Sequence, residues 1–248
     1  MLAERIDDKA LLWLIKKWLK AGVLDNDGKV LHPVTGTPQG GIVSPILANV
    51  YLHYALDLWF QKMVIPQCSG EACLIRYVDD FVCAFEKQED AQRFYEVLGK
   101  RLGKFGLELS EEKTRVISFS PIIRPGKTSF DCLGFEFRWG KDRTGKPNVK
   151  RRTARKNLRS SLKRFNEWCK SNRHLRLPEL FKRLNAKLRG YFNYYGVIGN
   201  FSSLMLFFYK AMRLLMKYLN LRSQCGNYHW AGFSQLIEQF GIVKPYIT

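Results

Sequence analysis

Acidic residues nearly run out after Gly140. Of the 22 Asp and Glu in this 248-residue chain, 18 precede Lys141 and only 4 follow, while the 41 Lys and Arg divide 18 to 23. The first part is therefore neutral, and the remainder carries the whole formal net charge of +19. So lopsided a balance points to a polyanionic partner. It also suggests two units, a neutral one for chemistry or scaffolding and a cationic one that holds the partner. The polar, Gly- and Pro-bearing stretch Lys141–Lys150 reads as the linker, giving domains 1–140 and 141–248.

Other absences narrow the class. No C-x-x-C pair occurs among Cys68, Cys73, Cys83, Cys132, Cys169 and Cys225, and the spacing of Cys68 and Cys73 gives little support for zinc. The cysteines read as free thiols of a reducing, cytoplasmic-type compartment, with Cys73 and Cys83 buried in apolar strand-like runs. Only four histidines are present, scattered at His32, His53, His174 and His229, which argues against a His-based catalytic or metal cluster. No apolar run approaches the roughly 20 residues that cross a bilayer, and Met1 is not followed by a signal-peptide pattern. In the basic half aromatics interleave with cations instead of segregating to one helix face, so no membrane partner is expected. There are no repeats and no low-complexity tract. The 46% hydrophobic content suffices for an ordinary folded core.

Hydrophobic spacing predicts a helix over Ala3–Lys20, a hairpin around Asp25–Gly28, a Gly- and Pro-rich loop over Thr35–Ser44, and a helix over Pro45–Lys62. Two short apolar runs, Cys73–Tyr77 and Phe81–Phe85, form a hairpin across Asp79-Asp80. A helix over Glu89–Phe105 stops at Gly106, and strands follow at Arg115–Phe119 and Asp131–Trp139. Helices are then expected over Thr153–Lys170, Pro178–Tyr195, Ser203–Leu221 and Phe233–Phe240. The pattern is α+β followed by all-α.

Tyr77-Val78-Asp79-Asp80 sets two adjacent carboxylates between apolar runs. A buried, unpaired carboxylate costs several kcal/mol or more, at roughly the scale of ion desolvation, unless a cation compensates. At a tight hairpin turn both carboxylates can reach one site. Mg²⁺ favours such hard oxygen donors, and a pair of such ions can clamp the attacking and leaving oxygens of a phosphoryl displacement. Taken alone, Asp-Asp between strands is more often a solvated turn. Upstream, Gly40 and Gly41 allow close backbone approach to a ligand, Gln39 offers a donor and an acceptor, and the following helix N-terminus favours phosphate. Taken alone, those glycines are more often a connector.

Order and company make the motifs specific. Thr35–Pro45 reads T-x-x-P-Q-G-x-x-x-S-P, Tyr77–Asp80 reads Y-x-D-D, Gly106–Thr114 reads G-L-x-L-S-x-x-K-T, and Leu133-Gly134-Phe135 follows. This succession resembles reverse transcriptases. Leu184–Tyr195 further resembles the thumb/maturase signature of group II intron-encoded proteins. The resemblance implies a partial right-hand polymerase palm followed by an all-α thumb/maturase domain. It implies RNA-directed DNA polymerase chemistry with a splicing role, or alternatively a non-catalytic maturase that binds intron RNA.

By that resemblance, Asp79 and Asp80 are catalytic and Mg²⁺-binding, and Lys113 sits near the leaving pyrophosphate, although a solvated lysine reads equally well there. Pro38, Gln39, Gly40, Gly41 and Tyr77 would contact nucleotide and template, and Leu133, Gly134 and Phe135 would grip the primer. The implied partners are intron and template RNA, a DNA primer or target, and dNTP. The family's further catalytic Asp lies upstream of the helix with which this chain begins. Asp7 and Asp8 open that helix, where the dipole favours acids for ordinary reasons. An upstream fingers-palm polypeptide or a second copy is therefore an expected partner, with polymerisation by the chain alone not expected. Family analogy places such proteins in bacteria or organelles. The paired Cys and His of an endonuclease module are absent, so target cleavage is not expected.

The basic half reads on physics as well. Lys150, Arg151, Arg152, Arg155, Lys156, Arg159, Lys163, Arg164, Lys187 and Arg189 mix with Phe165, Trp168 and Tyr191–Tyr195. Cations neutralise phosphates and aromatics stack unpaired bases. A solvated helix face is the plain alternative for the charges. A helix-bundle core is the better reading for most of Tyr191–Tyr195.

Overall fold

The computed structural model describes residues 1–20, 23–24, 30–31, 43–121, 128–222 and 228–248. The chain forms two compact units, Met1–Ser118 and Phe119–Thr248, and it mixes helix with small sheets, an α+β class.

In the first unit a short 3-10 turn at Leu2–Glu4 precedes α1, Lys9–Lys20. Asp8 caps α1: its Oδ1 accepts from the amides of Ala10 at 2.9 Å and Leu11 at 3.1 Å, satisfying donors that have no intrahelical partner. β1 (Val23–Leu24) and β2 (Val30–Leu31) pair antiparallel. The turn expected between them and the Thr35–Ile42 loop lie outside the described residues. α2 runs over Ser44–Leu52 with proline in its first turn, where the missing N–H costs nothing. It continues through two π-helical turns, His53–Asp57 and Phe60–Val64.

β3 (Ala72–Tyr77) and β4 (Asp80–Phe85) form the expected hairpin, with Ile75 opposite Val82 and Tyr77 opposite Asp80. α3 follows over Gln88–Gly103. Leu56 and Phe60 pack with Phe94, Leu98 and Leu102 of α3, and Ala72, Leu74, Phe81, Cys83 and Phe85 close the cluster from one face of the hairpin. Strand residues alternate faces, so Cys73, Ile75 and Tyr77 fall on the opposite face. Ile75 is 68% exposed and Tyr77 65%. Cys73 is exposed too, against the sequence expectation, on the face opposite the packed cluster. Cys83, on the covered side, is pushed up to about 12 by burial. Asp90 is buried and anchors the loop before β3. It accepts from the Ser69 amide at 2.9 Å and pairs with Arg93. Burial pulls its pKa upward, but Arg93 and Ser69 outweigh that and hold it below the ordinary range.

Residues 115–118 form no strand, contrary to expectation. The single strand expected over Asp131–Trp139 is two: β5 (Ser129–Cys132) and β6 (Phe135–Lys141) join through Leu133-Gly134, and β7 (Pro147–Thr153) completes an antiparallel meander. Lys141–Lys150, read as a linker, is therefore the β6–β7 hairpin. Asp142 shapes its turn, its Oδ1 accepting from the Thr144 and Lys146 amides. The expected boundary at Gly140 falls inside this sheet, which belongs to the second unit, so that unit is not all-α.

α4 (Arg155–Asn172), α5 (Leu177–Tyr195), α6 (Phe201–Asn220) and α7 (Trp230–Gln239) bury one core around Phe165, Leu184, Leu188, Phe192, Phe207 and Phe233. Apolar residues three and four apart on each helix supply the buried stripes. Phe165 is 1% exposed, which removes it from the aromatics read as base-stacking. Phe192 and Tyr195 are core residues, as the plainer reading had them. Among the described residues no helix is long and apolar enough to cross a membrane.

Candidate functional site

The Tyr77–Asp80 segment turns the chain in two residues, Val78 and Asp79, between the paired Tyr77 and Asp80. Val78 has φ of +57°, a conformation that is rare for a β-branched side chain and costs about 1–3 kcal/mol. Such a residue persists only where its surroundings hold it. Here the holder is Arg76. Its Nη1 donates to the Val78 carbonyl at 2.7 Å and to Asn49 Oδ1 at 2.8 Å. Its Nε and Nη2 donate to the two oxygens of Asp57 at 2.7 and 2.6 Å. Arg76 holds the Asp57 carboxyl below the ordinary carboxylate range by hydrogen bonding, and burial opposes it.

Asp79 and Asp80 are both exposed. The burial cost expected from the sequence does not weigh on them. Asp80 opens β4 on the same face as Tyr77, opposite the face that packs on α3. Among the described residues no cation pairs with either carboxylate. Two hard oxygen donors left unpaired suit a hard divalent cation. They supply only part of a coordination shell, since no cluster of three His, Cys, Asp or Glu exists among the described residues. Lys113 is exposed in a turn whose amide bonds to the Ser110 carbonyl, and among the described residues no hydrogen bond or ion pair ties it to Asp79 or Asp80. Pro38, Gln39, Gly40 and Gly41 lie outside the described residues.

In the second unit, Leu133 and Gly134 form the two-residue turn between β5 and β6, both at positive φ, +48° and +80°. That pairing is the type I′ hairpin geometry. The turn is docked onto α5 and the start of α4. Tyr194 Oη donates to the Leu133 carbonyl at 3.0 Å, and the Ala154 amide donates to the Gly134 carbonyl at 2.9 Å. A Cβ on Gly134 would stand 3.1 Å from both Asn157 Nδ2 and Tyr195 Oη. Phe135 packs edge-on against Tyr195, with ring centroids 5.4 Å apart.

Of the basic residues, Lys150, Arg151, Arg155, Lys156, Arg159, Lys163, Arg164, Lys187 and Arg189 are exposed. Arg155, Arg159 and Lys163 follow one another at four-residue spacing, so they share a face of α4. Arg152 is different: it grips Glu136 with two bonds of 2.8 and 2.9 Å across the β6–β7 pair, and this holds the Glu136 carboxyl below its ordinary range. Arg151 donates to the Ile198 carbonyl at 3.0 Å, and Lys156 reaches Asp131 at 3.3 Å while staying 75% exposed.

The profile of the reverse transcriptase (RNA-dependent DNA polymerase) family matches residues 2–137, more than half the chain. The chain belongs to the reverse transcriptase family. The profile of the group II intron maturase-specific domain matches residues 156–220, the helices α4 to α6. Group II intron-encoded protein LtrA of Lactococcus lactis subsp. cremoris is 27% identical across 95% of this chain and 51% of its own length. An uncharacterized 91 kDa protein in the cob intron of Schizosaccharomyces pombe is 49% identical over 63 residues. Telomerase reverse transcriptase of Takifugu rubripes is 27% identical over 119 residues, 48% of this chain. The chain spans about half the length of LtrA. The reverse transcriptase/maturase class expected from the motif order is the class that the two matching profiles describe.

Sequence reasoning missed Asn49, Asp57 and Arg76. The signal was an arginine inside an apolar strand, directly before Tyr77, where a charge needs a partner.

Proposed function

We propose that this chain is part of a group II intron-type RNA-directed DNA polymerase with a maturase role, with palm supplied by its N-terminal part and thumb and maturase surface by the helices α4 to α7. The observation that carries the reading is the pair of exposed carboxylates, Asp79 and Asp80, unpaired among the described residues and set on a strained turn. In this reading they are the catalytic ligands of Mg²⁺, which when bound would neutralise charge on the phosphates and on the primer 3′ oxygen. Pro38, Gln39, Gly40, Gly41 and Tyr77 orient nucleotide and template. Lys113 offsets charge on the departing pyrophosphate. Leu133, Gly134 and Phe135 steady the primer on a turn that α5 holds rigid. Lys150, Arg151, Arg155, Lys156, Arg159, Lys163, Arg164, Lys187 and Arg189 hold the phosphates of intron or template RNA, while Arg152 chiefly holds Glu136.

Two carboxylates do not complete a two-ion site, so a third is supplied by a segment beyond the described residues or by an added polypeptide. Primer extension on an RNA template with Mg²⁺, with and without a fingers-palm fragment, tests this against an Asp79→Ala/Asp80→Ala control. Extension that needs the fragment and vanishes in the control supports it. The lack of a three-ligand cluster among the described residues also favours a second reading, a non-catalytic maturase. That reading gains if neither mixture extends while salt-sensitive RNA binding is intact.

A further inference from the structure

We infer that Arg76 is a positioning residue for the Asp79-Asp80 carboxylates, clamping the turn that carries them to α2 through Asn49 and Asp57. The inference rests on the polymerase-site reading of those carboxylates.

Four donor–acceptor contacts of 2.6 to 2.8 Å converge on this one guanidinium, whose side chain is 12% exposed. Two go to Asp57, one to Asn49, and one to the carbonyl of Val78, the residue at positive φ. A planar fork engaging a carboxylate with two bonds fixes direction as well as distance. Its remaining donor edge then points at the turn. The Val78 carbonyl belongs to the peptide unit whose nitrogen is that of Asp79, so fixing that oxygen fixes the peptide plane from which the Asp79 side chain departs. Lysine at this position would keep the charge but lose the fork.

The helix is shaped to receive the clamp. Residues eight apart on a regular α-helix, at about 100° each, lie about 80° apart around the axis. Asn49 and Asp57 are eight apart, yet both reach the same guanidinium. Between them lies the π-helical turn His53–Asp57, which spends more residues per turn and brings Asp57 round toward the face of Asn49. The widened turn is itself braced. Arg101 of α3 donates to the carbonyls of Ala55 at 3.0 Å and Tyr54 at 3.3 Å. The path from α3 through the π turn to Asp57, Arg76 and Val78 is therefore continuous in direct hydrogen bonds and helix backbone. It explains how a β-branched residue is kept at φ of +57° on the turn that carries the two acidic side chains.

The test uses the full chain with Mn²⁺ as the probe, titrated by electron paramagnetic resonance, and amide hydrogen exchange at Asp79, Asp80 and Phe81. Arg76→Lys should weaken Mn²⁺ binding by about tenfold to a hundredfold, the usual range for a residue that orients a ligand, and speed exchange at those amides. Asn49→Ala, which leaves the Arg76–Asp57 pair intact and so folds if Arg76→Lys does not, should shift both in the same direction by a smaller factor. Where primer extension is observed, Arg76→Lys should lower kcat and leave the KM for nucleotide unchanged. Lower melting temperatures with wild-type Mn²⁺ affinity and wild-type exchange at the turn would make Arg76 merely structural and overturn the inference. Absence of Mn²⁺ binding by the wild-type chain fails the metal reading of Asp79 and Asp80, and the exchange rates in Asn49→Ala and Arg76→Lys then decide the clamp by themselves.

Discussion

Asn200 is 1% exposed, and its carboxamide accepts the Thr153 amide proton at 2.7 Å while donating to the Tyr195 carbonyl at 2.8 Å. One side chain thus joins the end of β7 to the end of α5, and it satisfies two backbone groups that have no water to turn to. Asn200→Leu fills similar volume but leaves the Thr153 amide without its acceptor, while the Tyr195 carbonyl keeps the Val197 amide at 2.8 Å. Each buried group left without a partner costs about 1–3 kcal/mol. The second unit should lose about 1–3 kcal/mol, a fall of roughly 2–12 °C in melting temperature. A melt of the far-ultraviolet helical signal measures it, and an unchanged midpoint would show that the bridge is dispensable.

The Leu133-Gly134 turn makes a sharper prediction, because its two residues should respond in opposite directions. Gly134 sits at φ of +80° with Asn157 and Tyr195 close behind it, so Gly134→Ala adds backbone strain and a tight contact together. A loss of about 1–3 kcal/mol is expected. Leu133 sits at +48°, where Asn is better tolerated and Asn-Gly is the preferred type I′ pair. Leu133→Asn should therefore raise stability by up to about 1 kcal/mol. If the turn also steadies the primer, the same change lowers extension, and thermal melts beside extension assays separate the two effects.

These two sites mark where sequence reading reached and where it stopped. The charge split, the Asp79-Asp80 hairpin and the four C-terminal helices were legible, because composition and period 2 or 3.6 report on them directly. The β5–β6 turn was not. Leu carries no turn signal, and its positive φ is imposed by docking onto Tyr194 and Ala154, which lie far along the chain. Cys73 was misplaced because an apolar strand does not tell whether one face or both will be covered. The strand expected at Arg115–Phe119 had apolar character, but among the described residues it pairs with no other strand. Arg76 was overlooked for a related reason. Its partners Asn49 and Asp57 lie 27 and 19 residues upstream, and a π turn, which leaves no trace in hydrophobic spacing, brings them together.

Thiol reactivity follows from the same one-sided burial. Cys73 is exposed, whereas burial pushes Cys83 and Cys169 up to about 12. The reactive species is the thiolate. Iodoacetamide at pH 8 should therefore label Cys73 well before Cys83 or Cys169, which should react only on unfolding. Peptide mass spectrometry over time reads the order. The linkage has a definite sign. An unfolded thiol ionises near its ordinary value of about 8.5, and the folded ones hold their protons until about 12. The unfolded state thus binds fewer protons between those values, and stability falls as pH rises through that window. Cys83→Ala/Cys169→Ala should flatten this alkaline loss, whatever it does to stability at pH 7.

The basic surface yields the prediction that bears most directly on RNA. Lys150, Arg155 and Arg159 are exposed and form no ion pair among the described residues, although Arg155 lies near enough to Glu136 to help hold its carboxyl below the ordinary range. Arg152 is engaged by Glu136, so the two sets should behave differently. Each phosphate contact made by a cation steepens the fall of log affinity with log salt by about 0.7 for single strands and about 0.9 for duplex. Replacing Lys150, Arg155 and Arg159 together with glutamine should reduce the slope by about 2 to 3 and weaken binding uniformly across RNA sequences. Arg152→Gln should instead lower the melting temperature, by freeing Glu136, with little change in slope. Fluorescence anisotropy on one RNA across a salt series decides between these outcomes. Equal slopes for the triple variant and the wild type would remove Lys150, Arg155 and Arg159 from the RNA surface, and the net charge of the second unit would have to act through its other cations.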